Sequence, residues 1–175
     1  PPKAKERMTV LVEHLREALG NRIRSLDWMS EETREKALEK LARMRVKVGY
    51  PDKWRSFDEL KLENRSYYEN YKAASVFNMQ YELNKIGKPV DRDQWEMTPQ
   101  TVNAYYNPLL NEIVFPAGIV QPPFFYMDGD DAVNYGPIGV VIGHEMTHGF
   151  ADQGRKFDVN GNLNHWWKEA DAERF

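Results

Sequence analysis

The chain has 175 residues, 41% of them hydrophobic and 29% charged, which is enough apolar side chain to build a core in one domain or part of a larger one. A formal net charge of -3 with interspersed signs gives no basic footprint and argues against a nucleic-acid partner. Zero cysteines exclude disulfides and thiolate ligands, leaving His, Asp and Glu to hold any metal, and no apolar run approaches the roughly 18 residues of a membrane span.

After Pro1-Pro2, the apolar residues Met8, Leu11, Val12, Leu15 and Leu19 recur at helical spacing and predict an amphipathic helix from about Lys5 to Leu19, ended by Gly20-Asn21. His14 falls on its polar side and reads as a solvated histidine. Ser30 reads as the N-cap of a second helix, with Glu31 and Glu32 early and Lys40, Arg43 and Arg45 late, as the helix dipole favours. Ala37, Leu38, Leu41 and Ala42 are its expected buried stripe, its charges form a wet face, and Gly49-Tyr50-Pro51 closes it.

A third helical stretch is expected from about Phe57 to Ile86. Its tyrosines Tyr67, Tyr68, Tyr71 and Tyr81 and the apolar Val76, Phe77 and Leu83 suggest a packing surface. Asn64-Arg65-Ser66 matches a glycosylation sequon. From Thr98-Pro99 the character changes. Residues 101–106 and 112–115 read as strands of a β-hairpin with a five-residue loop at 107–111. Pro122-Pro123-Phe124-Phe125 is stiff and apolar, and is expected either to wall a cavity or to pack in the core.

Gly136-Pro137 starts a helix that contains His144-Glu145-Met146-Thr147-His148. Residues four apart share one helix face about a turn apart, so both imidazoles can reach one ion. Glu145 lies on the neighbouring flank, where its carboxylate can take a proton from a metal-activated water and pass it to a leaving amine. That chemistry is peptide-bond hydrolysis. Asp158-Val159-Asn160-Gly161-Asn162 resembles the opening of a calcium loop but lacks the later oxygen ligands, so a tight turn is expected. Trp166-Trp167 opens a last helix.

Val102-Asn103-Ala104-Tyr105-Tyr106, Ile113-Val114-Phe115-Pro116-Ala117-Gly118-Ile119, Gln121-Pro122-Pro123-Phe124-Phe125, Asn134-Tyr135-Gly136 and Ile142-Gly143-His144-Glu145-Met146-Thr147-His148-Gly149-Phe150 together resemble the neprilysin family of zinc endopeptidases. Leu26-Asp27-Trp28-Met29, Lys36-Ala37 and Val48-Gly49-Tyr50-Pro51 extend the likeness over most of the chain, and the absence of cysteines points to a bacterial-type member.

The resemblance implies an α+β, mainly helical, thermolysin-like zincin region with a small mixed sheet whose edge strand takes the substrate. Residues 1–97 would be its helical part and 98–175 its catalytic part. By that likeness His144 and His148 are zinc ligands and Glu145 is the catalytic base. Asn103 and Ala104 would bind peptide backbone, and Ile119, Phe124, Val140 and Val141 would line an apolar pocket for the residue after the scissile bond. The implied cofactor is one Zn2+ and the partners are peptides; the location is left open, an extracytoplasmic one being only weakly favoured.

Two positions depart from the family pattern. Ala151 stands where the family has the first of two aspartates, leaving Asp152. The glutamate motif that supplies the family's third zinc ligand is not in the chain, and neither Glu169 nor His165 has its context or spacing. The chain therefore reads as a fragment whose site is completed by the rest of the same polypeptide. The alternative is a peptide- or partner-binding fragment without catalysis.

Overall fold

A computed structural model describes residues 2–175. The chain divides into two units, one running up to Tyr50 and resuming at Glu96–Phe175, the other Pro51–Trp95.

In the first unit, α1 (Pro2–Arg24) buries Met8, Leu11 and Val12, the stripe that its periodicity predicts, and packs against α2 (Glu31–Ala42). The helix passes through Gly20 and ends later than expected, because Ile23 is also buried in the core and extends the apolar face by a turn. His14 is not simply solvated, since its Nδ1 lies 2.6 Å from the Tyr135 hydroxyl.

The second helix stops at Ala42, and Arg45–Gly49 leaves it as strand β1. The expectation that Arg45 ends a helix is therefore corrected. β1 pairs in parallel with β3 (Glu112–Pro116), which pairs antiparallel with β2 (Tyr105–Asn107), giving the sheet order β1-β3-β2. The sheet is mixed, and β2 is an edge. The hairpin is shorter than predicted because residues 101–104 are irregular and Asn107 belongs to the strand. β3 is buried throughout, with Ile113, Val114 and Phe115 fully inaccessible.

Gly136 ends the short helix α4 (Asp131–Tyr135), and Pro137 opens α5 (Pro137–His148) at a position where its missing N–H costs nothing. Ile138, Ile142 and Met146 recur every four residues along α5, are fully buried, and anchor it in the core against α1. Phe125 joins that core, whereas Phe124 packs at its margin and Pro122 and Pro123 are exposed. The chain then makes a 3-10 turn at Gly154–Lys156. Asp158 accepts from the backbone N–H of Asn160 and Asn162 in the tight turn expected there, and α6 (Glu169–Arg174) follows the buried Trp166 and Trp167.

The second unit holds α3 (Tyr67–Leu83). Its start is set by a capping box in which Ser66 Oγ accepts from the Glu69 N–H and Glu69 accepts from the Ser66 N–H, so residues 57–66 stay outside the helix. Arg55 lies 3.9 Å from the Tyr81 ring centroid and 5.2 Å from that of Phe77. No residue of α3 is buried, and Tyr67, Tyr68 and Tyr71 are exposed, unlike the expected packing surface.

Candidate metal centre

Core packing of Ile138, Ile142 and Met146 turns the opposite side of α5 outward, so His144 and His148 are exposed while Glu145, on the flank, is 6% exposed. The two Nε2 atoms lie 2.9 Å apart, with the rings nearly edge to face. Two nitrogens about 2.0–2.1 Å from one tetrahedral ion would be separated by roughly 3.3–3.4 Å, so the pair needs to open by about half an ångström to reach a zinc-ligating arrangement. Two imidazoles with no thiolate in the chain suit a borderline cation such as zinc. Among the described residues, no group of three His, Cys, Asp or Glu side chains converges on one point.

Burial pushes the Glu145 carboxyl above its ordinary value, while His148, His144 and the Tyr106 backbone N–H pull it back. A carboxylate so placed is a stronger base than one in water.

The histidines and Glu145 face a cleft of about 390 Å³ lined also by Asn103, Ala104, Tyr105, Tyr106, Pro108, Gln153, Gly154 and Phe157. The start of β2 thus forms the wall opposite α5. Ala104 N–H is satisfied by the Asn103 side chain at 2.9 Å, so that oxygen must swing away before the edge can pair with an extended chain. The other four predicted pocket residues lie outside this lining. Ile119 is buried, Phe124 and Val141 pack against the core, and Val140 is 70% exposed. Val140 and Val141 nevertheless precede His144 and Glu145 by one helical turn on the same stripe of α5.

Asp152 is exposed and its Oδ2 accepts from Gln153 Nε2. Tyr106, absent from the sequence-based set, does more than line the wall. Its hydroxyl donates to Asn111 Oδ1 at 3.1 Å, and Asn111 Nδ2 donates to the Lys40 carbonyl. Lys40 itself is 1% exposed, which overturns its placement on a wet helix face.

Two sequence profiles described as peptidase family M13 match the chain, one over residues 1–51 and one over 103–175. The chain belongs to peptidase family M13. Neprilysin-3 of Drosophila melanogaster is 42% identical to it over 94% of this chain and 22% of its own length. Human endothelin-converting enzyme-like 1 is 43% identical over 98% of the chain and 23% of its own length. Among solved structures, the zinc metalloprotease ZMP1 of Mycobacterium tuberculosis is 53% identical and superposes with a TM-score of 0.94 over 98% of this chain and 26% of that one. PEPO of Lactobacillus rhamnosis is 37% identical, with a TM-score of 0.95 over 100% of this chain and 28% of that one. The M13 chain therefore has the zincin fold of these peptidases and spans about a quarter of the length of the relatives it matches.

Proposed function

We propose that the polypeptide carrying this M13 chain is a zinc-dependent endopeptidase that cuts short peptides on the amino side of hydrophobic residues. The observation that supports it most is the approach of the His144 and His148 Nε2 atoms to 2.9 Å beside the buried Glu145. His144 and His148 would hold the zinc, with a third ligand from the rest of the polypeptide. Bound zinc supplies a Lewis acid that brings a water's pKa towards neutrality.

Glu145 takes the proton of the attacking water and delivers it to the leaving amine, a role favoured by its dry flank and raised pKa. Asn103 and Ala104 offer backbone and amide groups to an extended peptide along the free side of β2, fixing the scissile bond over the cleft. Val140, Val141, Ile119 and Phe124 are apolar and, by the family likeness, would line the pocket for a hydrophobic side chain after the cut, although none of them lines the present cleft.

Zinc content and cleavage of a Phe- or Leu-containing peptide by the full-length polypeptide test the reading. Chelator should abolish cleavage, and Glu145→Gln should keep zinc while losing about 10²–10⁴ in turnover. Cleavage indifferent to both would end it. A second reading is peptide binding without catalysis, supported by the edge strand β2 and by Asn103 and Ala104 in the cleft wall. A full-length protein that binds such peptides but contains no zinc would select it.

A further inference from the structure

We infer that Lys40 is a positioning residue for the metal-binding helix, acting through a clasp that closes behind His148. This inference rests on the zinc-peptidase reading above. Lys40 Nζ donates to three backbone carbonyls, Gly149 at 2.8 Å, Gly154 at 2.7 Å and Phe157 at 2.6 Å. Gly149 is the C-cap of α5 and follows His148 directly.

The last carbonyls of a helix have no partner within it and carry the negative end of its dipole, so a cation there is favoured. Three carbonyl oxygens drawn together in a buried pocket repel one another unless a donor sits among them. Lys40 is that donor, and the Trp166 and Tyr106 rings, with centroids 5.4 and 5.8 Å from its nitrogen, shield it from water.

Gly154 shows how tightly the clasp is drawn. A Cβ at this position would lie 1.8 Å from the His148 carbonyl oxygen and 2.5 Å from the Gly149 carbonyl carbon. The chain leaving α5 therefore folds back onto the backbone of the second histidine, with Lys40 bonded to both layers. The same residue also reaches the opposite wall of the cleft, because its carbonyl accepts from Asn111, which in turn accepts from the Tyr106 hydroxyl. One residue of α2 thus sets the separation of α5 from β2, and with it the angle at which His148 meets an ion.

The full-length protein and its Lys40→Met and Gly154→Ala variants test this, with Lys36→Met as a control, since Lys36 is an exposed lysine of the same helix paired with Glu32. Four quantities are read on protein whose circular dichroism matches the parent. They are the zinc release rate into a chelating indicator, amide exchange of residues 149–157 in zinc-free protein, and kcat and KM. Both clasp variants should release zinc about 10-fold faster or more, exchange faster at 149–157, and lose kcat with KM within about twofold, while Lys36→Met changes none of these.

If Lys40→Met does not fold, Gly154→Ala decides alone, because it opens the clasp with the lysine intact. Unchanged zinc release in the folded variants, or faster release explained entirely by faster global unfolding, overturns the inference. A parent protein that binds no zinc instead removes the peptidase reading, and this inference with it. A parent that binds zinc beside unaffected variants removes the inference alone.

Discussion

Thr33 Oγ1 donates to Asp171 Oδ2 at 2.6 Å, joining the first turn of α2 to α6 across 138 positions of sequence. Both side chains are buried, and Asp171 also accepts from the Ser30 N–H at 3.0 Å. A carboxylate from the far end of the chain therefore holds the N-cap residue Ser30 and the first turn of α2, while the Ser30 side chain makes no cap hydrogen bond of its own. Asp171→Ala leaves these donors without an acceptor in a dry pocket and should cost about 1–3 kcal/mol of stability, read from the urea midpoint.

The same pair carries a pH dependence. Burial alone would raise the Asp171 pKa, but the hydrogen bonds from Ser30 and Thr33 outweigh it and hold the carboxyl below its ordinary 3.8. A group whose folded-state pKa is depressed gives stability that is present above its unfolded pKa and lost as pH falls through the folded value. Thermal melts between pH 6 and pH 2 should show that loss setting in below about pH 4. Asp171→Asn should start less stable and decline less steeply in acid. Parallel curves for the two proteins would contradict the assignment.

Lys47 and Glu112 form an ion pair at 2.9 Å with side chains 9% and 1% exposed, holding β1 to β3. Burial pushes the Glu112 carboxyl up, and Lys47 opposes the shift. Lys47→Met removes the hydrogen-bonded partner of a buried acid, leaving Arg45 as its opposing charge, and should destabilise by about 3–5 kcal/mol, whereas Lys47→Met with Glu112→Leu should recover much of the loss. Equal losses in the single and double variants, measured by equilibrium urea unfolding, would show that the pair does not hold the strands.

His148 presents its ring to solvent from an otherwise anchored helix. His148→Ala should leave the stability of the metal-free protein within about 0.5 kcal/mol of the parent. Its zinc affinity, from competition titration in the full-length polypeptide, should fall by more than about 10-fold. A large loss of stability with zinc binding retained would mean that the imidazole is structural.

Ser66 closes the capping box of α3. Ser66→Ala should destabilise that helix by about 0.5–2 kcal/mol, and Ser66→Asp should largely preserve it. Hydrogen exchange over Tyr67–Leu83 is the direct measure. Identical protection in all three proteins would place the stability of α3 elsewhere.

Features that depend on spacing of a few residues were legible without coordinates. The buried stripe of α1, the start of α5 at Pro137 and the turn at Asp158 follow from helical periodicity, proline geometry and a short polar side chain bonding its own neighbourhood. The histidine pair belongs to the same class, since residues four apart on any helix must face one way. Ser66 and Glu69 are equally local, and their S-x-x-E pattern, which overlaps the Asn64-Arg65-Ser66 sequon, marks the true start of α3.

Other features required the folded chain. Arg45-Val46-Lys47-Val48 alternates as a strand should, but it becomes one only because Glu112–Pro116 lies alongside to accept its hydrogen bonds. Lys40 looked like any lysine on a charged helix, and only the return of the chain after α5 puts three carbonyls around its ammonium. The residues alone determined which side chains could hold a metal and take a proton, because that chemistry needs a helical turn and the right functional groups. Tertiary structure decided how dry Glu145 is, which strand walls the cleft and what holds His148 in place, because burial and long-range pairing depend on what the rest of the chain brings near.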